Sequence, residues 1–127
     1  MRRAVWVAVI SMGVILLLAV YADGARRNIG HELMRMRRQM LEEVAAEDWE
    51  GTRKTVLEAD RWWHGKEEML ALFTHHELTD AVGDGITQIL ISLETENAYE
   101  LYEGLEMLKN AAERLHEQDA FVLKNIL

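Results

Sequence analysis

The stretch His75–Thr95, HHELTDAVGDGITQILISLET, decides the fold class. Read locally, Gly83-Asp84-Gly85 is a turn and residues 86–93, ITQILISL, form a strand rich in β-branched residues. Read by period, Leu78, Val82, Ile86, Ile89 and Leu93 recur every three or four positions, the spacing of one helical face. The stripe keeps its phase across the glycines, so the whole stretch reads as one helix. Gly85 then falls on the packed face, where a missing side chain lets a neighbour approach closely. Proline, the strongest helix breaker, is absent from all 127 residues.

The same period runs outward in both directions. Toward the C-terminus, Ala98, Leu101, Tyr102, Leu105, Leu108, Ala112 and Leu115 form one face, and Glu100, Glu103, Glu106, Asn110, Glu113 and Glu117 the other. The tail DAFVLKNIL is too apolar for a free end, so Phe121, Val122, Leu123, Ile126 and Leu127 are expected to dock on the bundle. Toward the N-terminus, Trp49, Thr52, Val56, Ala59 and Trp63 share a face behind a cap at Asp48. Asp60 lies beside that face and calls for a partner. Gly65 suits the position after a helix, with Lys66–Leu72 as a short helix or corner. A further stripe, Ile29, Leu33, Met36, Met40 and Val44, follows an N-cap at Asn28. A shift of 49 residues sets Thr52 on Leu101, Val56 on Leu105 and Ala59 on Leu108, a faint repeat of the kind seen in tetratricopeptide helix pairs.

Residues 4–22, AVWVAVISMGVILLLAVYA, carry no charge. At about 1.5 Å per residue they nearly match a hydrocarbon core of about 30 Å, and Trp6 and Tyr21 stand where amphipathic rings favour the interface. A cleaved signal peptide is the rival reading, but its apolar region usually runs only about 7–15 residues. The chain therefore divides into a basic tail at 1–3, a transmembrane anchor at 4–22 and a helical domain at 23–127. Arg2 and Arg3 favour a cytoplasmic N-terminus and an extracytoplasmic domain. Arg26, Arg27, Arg35, Arg37 and Arg38 pull the other way; they also offer cations to anionic headgroups. The net charge is -8, split between seven arginines and two acids in residues 1–39 and seven cations and twenty acids in residues 40–127. An acidic body excludes nucleic acid as a natural partner. With no cysteine there is no disulfide and no thiolate site.

The one concentration of reactive residue types is LFTHHELTD, residues 72–80. Most of it has a structural reading. Thr74 and Glu77 have the spacing of a capping box, Phe73 and Leu78 that of a hydrophobic staple, and Glu77 and Asp80 complement the helix dipole. His75 falls beside the apolar stripe and is expected to be half-buried. His76 and Asp80, four apart, can meet on the polar side. They are weak metal candidates, because zinc sites take at least three protein ligands and Asp84, His64 or His116 would have to supply the third. Nothing reads as a catalytic signature, and no cofactor is expected. Trp62 and Trp63 lie about 100° apart on a helix, so one belongs to the core and the other to an edge or a partner surface. The candidate partner-binding residues are Trp62, Trp63, His76, Glu77 and Asp80.

The order of AEDWEGT (46–52), RWW (61–63), HELTD (76–80), AYELYEGLEMLK (98–109) and LKNIL (123–127) behind a short apolar segment resembles the domain of unknown function 4363 family. These are small bacterial single-pass membrane proteins. The Gly83-Asp84-Gly85 run departs from that pattern. The resemblance implies a membrane-anchored helical domain without assigned activity, working in a complex with a membrane protein, and it carries over no catalytic residue. The expectation is thus an all-α protein: a transmembrane helix, then an antiparallel bundle of four to five helices. Its expected role is a non-enzymatic partner-binding or accessory subunit; the alternative is a small-ligand or metal sensor centred on His76 and Asp80.

Overall fold

The computed structural model describes the backbone of residues 2–72 and 74–126, and side chains as far as residue 115 apart from residues 1 and 73. The described residues form four helices: α1 (Arg2–Ala45), α2 (Trp49–Ala71), α3 (His76–Glu94) and α4 (Ala98–Ile126). The helical reading of residues 75–95 holds. Leu78, Val82, Ile86, Ile89 and Leu93 are all buried, and α3 runs through Gly83 and Gly85 without a break.

The glycines are there for packing. A Cβ on Gly85 would lie 3.1 Å from Leu108 Cδ2 and 3.3 Å from the Leu108 nitrogen. One on Gly104 would lie 2.6 Å from Ile89 Cγ1 and 3.2 Å from the Gly85 carbonyl oxygen. Helices α3 and α4 thus touch nearly backbone to backbone, glycine facing glycine. Each helix packs on two neighbours: α1 on α2 and α4, and α3 on α2 and α4. Neighbours run antiparallel. Thr55 meets Gln39 and Glu43, Arg53 meets the Leu93 carbonyl, and Arg37 donates to the Leu105 carbonyl at 3.0 Å. The core is the expected set of stripes, with Trp63, Met40, Leu33, Leu101, Leu105 and Leu115 among its largest buried side chains.

The repeat is stronger than the sequence alone showed. Helix α1 ends with Glu47 in the left-handed region (φ 58°). The Glu47 amide bonds the Val44 carbonyl and the Asp48 amide bonds the Glu43 carbonyl. Helix α3 ends with Glu96 (φ 49°), its amide on Leu93 and that of Asn97 on Ser92. Both are Schellman turns. Asp48 then accepts from the Gly51 amide at 2.9 Å, as Asn97 accepts from the Glu100 amide at 3.2 Å. Each pair is separated by the same 49 residues as Val56 and Leu105. Two equivalent helical hairpins therefore close on each other into a ring.

Several boundaries differ from the sequence reading. Asn28 caps nothing, because α1 continues through it: Ala22, Arg26, Ile29 and Leu33 form one unbroken buried stripe. Gly65 lies inside α2, where burial of Leu70 (1% exposed) outweighs a mid-helix glycine cost of about 1 kcal/mol. The short helix at Lys66–Leu72 is thus the last turns of α2. Tyr102 is 43% exposed, at the rim of the α4 stripe. The staple at Phe73 and the docking of residues 121–127 lie outside the described residues.

At 44 residues, α1 is about 66 Å long. It is the one helix among the described residues long and apolar enough to cross a membrane, with a mean hydropathy of 2.5 over its most apolar window and none of that window buried. The side chains of Trp6, Ile10, Ile15, Leu17, Val20 and Tyr21 are all exposed. Burial along α1 begins at Ala22.

Candidate functional site

The described residues of LFTHHELTD run from the end of α2 into the first turns of α3. The capping box does not form. Thr74 closes α2 instead, its amide and its hydroxyl each 3.0 Å from the Leu70 carbonyl oxygen. The N-cap of α3 is His75, with extended backbone (φ -72°, ψ 144°) and no side-chain cap bond. His75 is exposed rather than half-buried, because the helix begins one residue later than the box requires and the ring falls outside its apolar face. Glu77 stands 3.9 Å from Arg114 on α4. Both partners are exposed, so this ion pair contributes at most about 1 kcal/mol.

His76, Glu77 and Asp80 are exposed together on the first turns of α3. They form a polar, solvent-facing surface beside the corner. Among the described residues no group of three or more histidine or carboxylate side chains is placed to hold a metal ion. Asp84 is exposed further along α3, His64 is on α2, and the side chain of His116 lies outside the described residues. His64 is engaged with Asp60, the half-buried acid that called for a partner. Its Nδ1 is 2.8 Å from the Asp60 carbonyl oxygen and 3.4 Å from the carboxylate. The bond to the carbonyl, and then the carboxylate charge, raise the His64 pKa above its ordinary value.

The two tryptophans separate. Trp63 is 2% exposed and belongs to the core, with its ring centroid 6.5 Å from that of Trp62. Trp62 is half-buried and lines a cleft of about 550 Å³ between α1 and α2. Val20, Tyr21, Ile29, Lys66 and Met69 share its walls. The Tyr21 hydroxyl donates to the Met69 sulfur at 3.8 Å, bridging the two helices at the rim. Sequence reading missed this cleft, since it depends on the register of α2 on α1.

The arginines that follow the apolar segment are largely engaged within the fold. Arg26 is buried (5% exposed), Arg27 pairs with Asp23, and Arg35 pairs with Glu32. The Arg35 hydrogen bond holds the Glu32 carboxyl below its ordinary pKa. Arg37 joins α4 through the Leu105 carbonyl and Glu106. Arg35 and Arg37 stand about 20 Å along α1 from Ala22.

No curated protein and no solved structure matches the chain. Residues 27–126 match the family described as Domain of unknown function (DUF4363). That match runs from the turn after Arg26 to the last described residue of α4, taking in the corner, the cleft walls on α2 and both Schellman turns. The chain belongs to the domain of unknown function 4363 family.

Proposed function

We propose that the protein is a single-pass, membrane-anchored accessory subunit, with no enzymatic activity, whose bundle binds a protein partner in the same membrane. One observation carries the reading: α1 passes without a break from a fully exposed apolar segment into the core of the bundle. A bundle joined so stiffly to its anchor presents a fixed face at a fixed height. The polar surface of His76, Glu77 and Asp80, near the anchor, is the part of that face offered to the partner. We place the bundle on the extracytoplasmic side of the cell membrane, on the strength of Arg2 and Arg3 ahead of the apolar segment.

Photo-crosslinking in native membranes tests this. A photo-reactive residue at 76, 77 or 80 gives a discrete protein adduct, and one at exposed Leu57 on α2 gives none. Absence of any protein adduct at all three positions rejects partner binding at this surface. A reporter fused to the C-terminus, active only outside the cytoplasm, tests the orientation separately.

A further inference from the structure

The register of α2 on α1 fixes the height of the α2–α3 corner. Tyr21, at the end of the apolar segment, meets Met69. Because α2 runs antiparallel to α1, each residue beyond Met69 descends along the apolar segment by about 1.5 Å. Leu72, three residues on, falls in the last turn of the apolar segment, level with Leu18 by the Tyr21–Met69 contact and with Ala22 by the Gln39–Thr55 contact. At 79% exposure it is more exposed than any other large apolar side chain among the described residues.

A lone exposed leucine needs no explanation on a soluble surface. Here it falls at the level of the exposed residues that end the apolar segment, among them Val20 and Tyr21, 65% and 60% exposed. Above it on α2, in order of height, come Met69, which meets Tyr21, then Lys66 and Trp62 in the cleft walls. From bottom to top the order is aliphatic, amphipathic aromatic, cation. A bilayer has the same order from acyl boundary to headgroup phosphate. No flexible linker lifts the bundle away, since α1 is helical throughout residues 2–45.

We propose that the bundle makes a second contact with the bilayer through this corner. Leu72 enters the acyl boundary and Lys66 faces the phosphates of the headgroup layer at the mouth of the α1–α2 cleft. The proposal rests on residues 4–22 being a membrane span. Its occupant is lipid, because Leu72, the exposed apolar side chain of the corner, lies at the level of the exposed apolar surface of the span itself.

The chain has no cysteine, so single-cysteine variants of the full chain report position cleanly. Ile10→Cys, Leu72→Cys and Tyr99→Cys are each labelled with an environment-sensitive fluorophore and reconstituted into phosphatidylcholine–phosphatidylglycerol vesicles. Lipids bearing a shallow spin label are compared as quenchers with aqueous iodide. The expected result is lipid quenching at 10 and 72 and iodide quenching at 99, with a lipid-to-iodide ratio several-fold higher at 72 than at 99. Lys66→Glu in the Leu72→Cys background should lower that ratio. If position 10 is quenched by lipid but 72 only by iodide, the corner stands in water and the second contact is refuted while the anchor survives. If iodide quenches position 10, the anchor reading fails and the proposal falls with it. All the labelled side chains are exposed in the fold, so none of these variants removes a core contact.

Discussion

At the scale of single residues, two glycines in equivalent-looking helical settings have opposite consequences. A methyl at Gly104 meets backbone at 3.1 and 3.2 Å (the Ile89 nitrogen and the Gly85 carbonyl oxygen). Backbone in two packed helices cannot yield, so Gly104→Ala should destabilise by about 1–3 kcal/mol. A methyl at Gly65 meets nothing within 4 Å. Gly65→Ala in mid-α2 should stabilise by about 0.5–1 kcal/mol. Urea denaturation of the two variants in detergent checks both signs, and equal effects would refute the account. His64 supplies a pH dependence. Its pKa is raised by the Asp60 carbonyl and carboxylate, so its contribution is full below the unfolded value of 6.5 and is lost as pH rises through the raised folded value. His64→Ala should therefore lower the melting temperature more at about pH 5 than at about pH 9. The ring is mostly exposed, and the difference is expected to be small.

At the scale of elements, the stripes were legible and the ends were not. Every residue of the predicted α3 stripe is buried, because apolar period is a direct consequence of having one face in the core. The ends are set by contacts that leave little local trace. Gly65 looked like a terminator, but the turns that do terminate helices have glutamate at the left-handed position, Glu47 and Glu96. Thr74 looked like the start of α3 and is bonded to the end of α2. The candidate site followed the same division. His76, Glu77 and Asp80 were found from residue type, whereas Lys66, Met69 and Leu72 gained their meaning only from the register of α2 on α1. The two glutamates give the test at this scale. A left-handed non-glycine residue costs about 1–2 kcal/mol, and glycine there gives back about 0.5–1 kcal/mol in unfolded-chain entropy. Glu47→Gly and Glu96→Gly should each stabilise by roughly 0.5 kcal/mol. The two changes should match, as the 49-residue repeat requires; stabilisation at one turn and loss at the other would show that the hairpins are not equivalent.

At the scale of the whole molecule, one helix belongs to two environments. From Ala22 onward α1 is held by α2 and α4, and its stripe enters the common core. Before Ala22 its apolar window has no buried residue, and α2 reaches it only at the end, where Tyr21 meets Met69, so the solvent around it decides its fate. In an apolar medium its backbone groups have no partner except each other, and helix is retained whether or not the bundle is folded. Heating the full chain in micelles should therefore give one cooperative loss of near-ultraviolet signal from Trp63. The accompanying fall in far-ultraviolet ellipticity should stop well short of the coil baseline, leaving the helix of residues 4–22. Leu33→Ala, which opens a cavity where α1 enters the ring, should lower that single midpoint by an amount corresponding to about 2–5 kcal/mol and leave the residual helix unchanged. Loss of all ellipticity in the same transition would mean that the apolar segment depends on the bundle for its structure, and that α1 is one folding unit rather than a strut shared between lipid and protein.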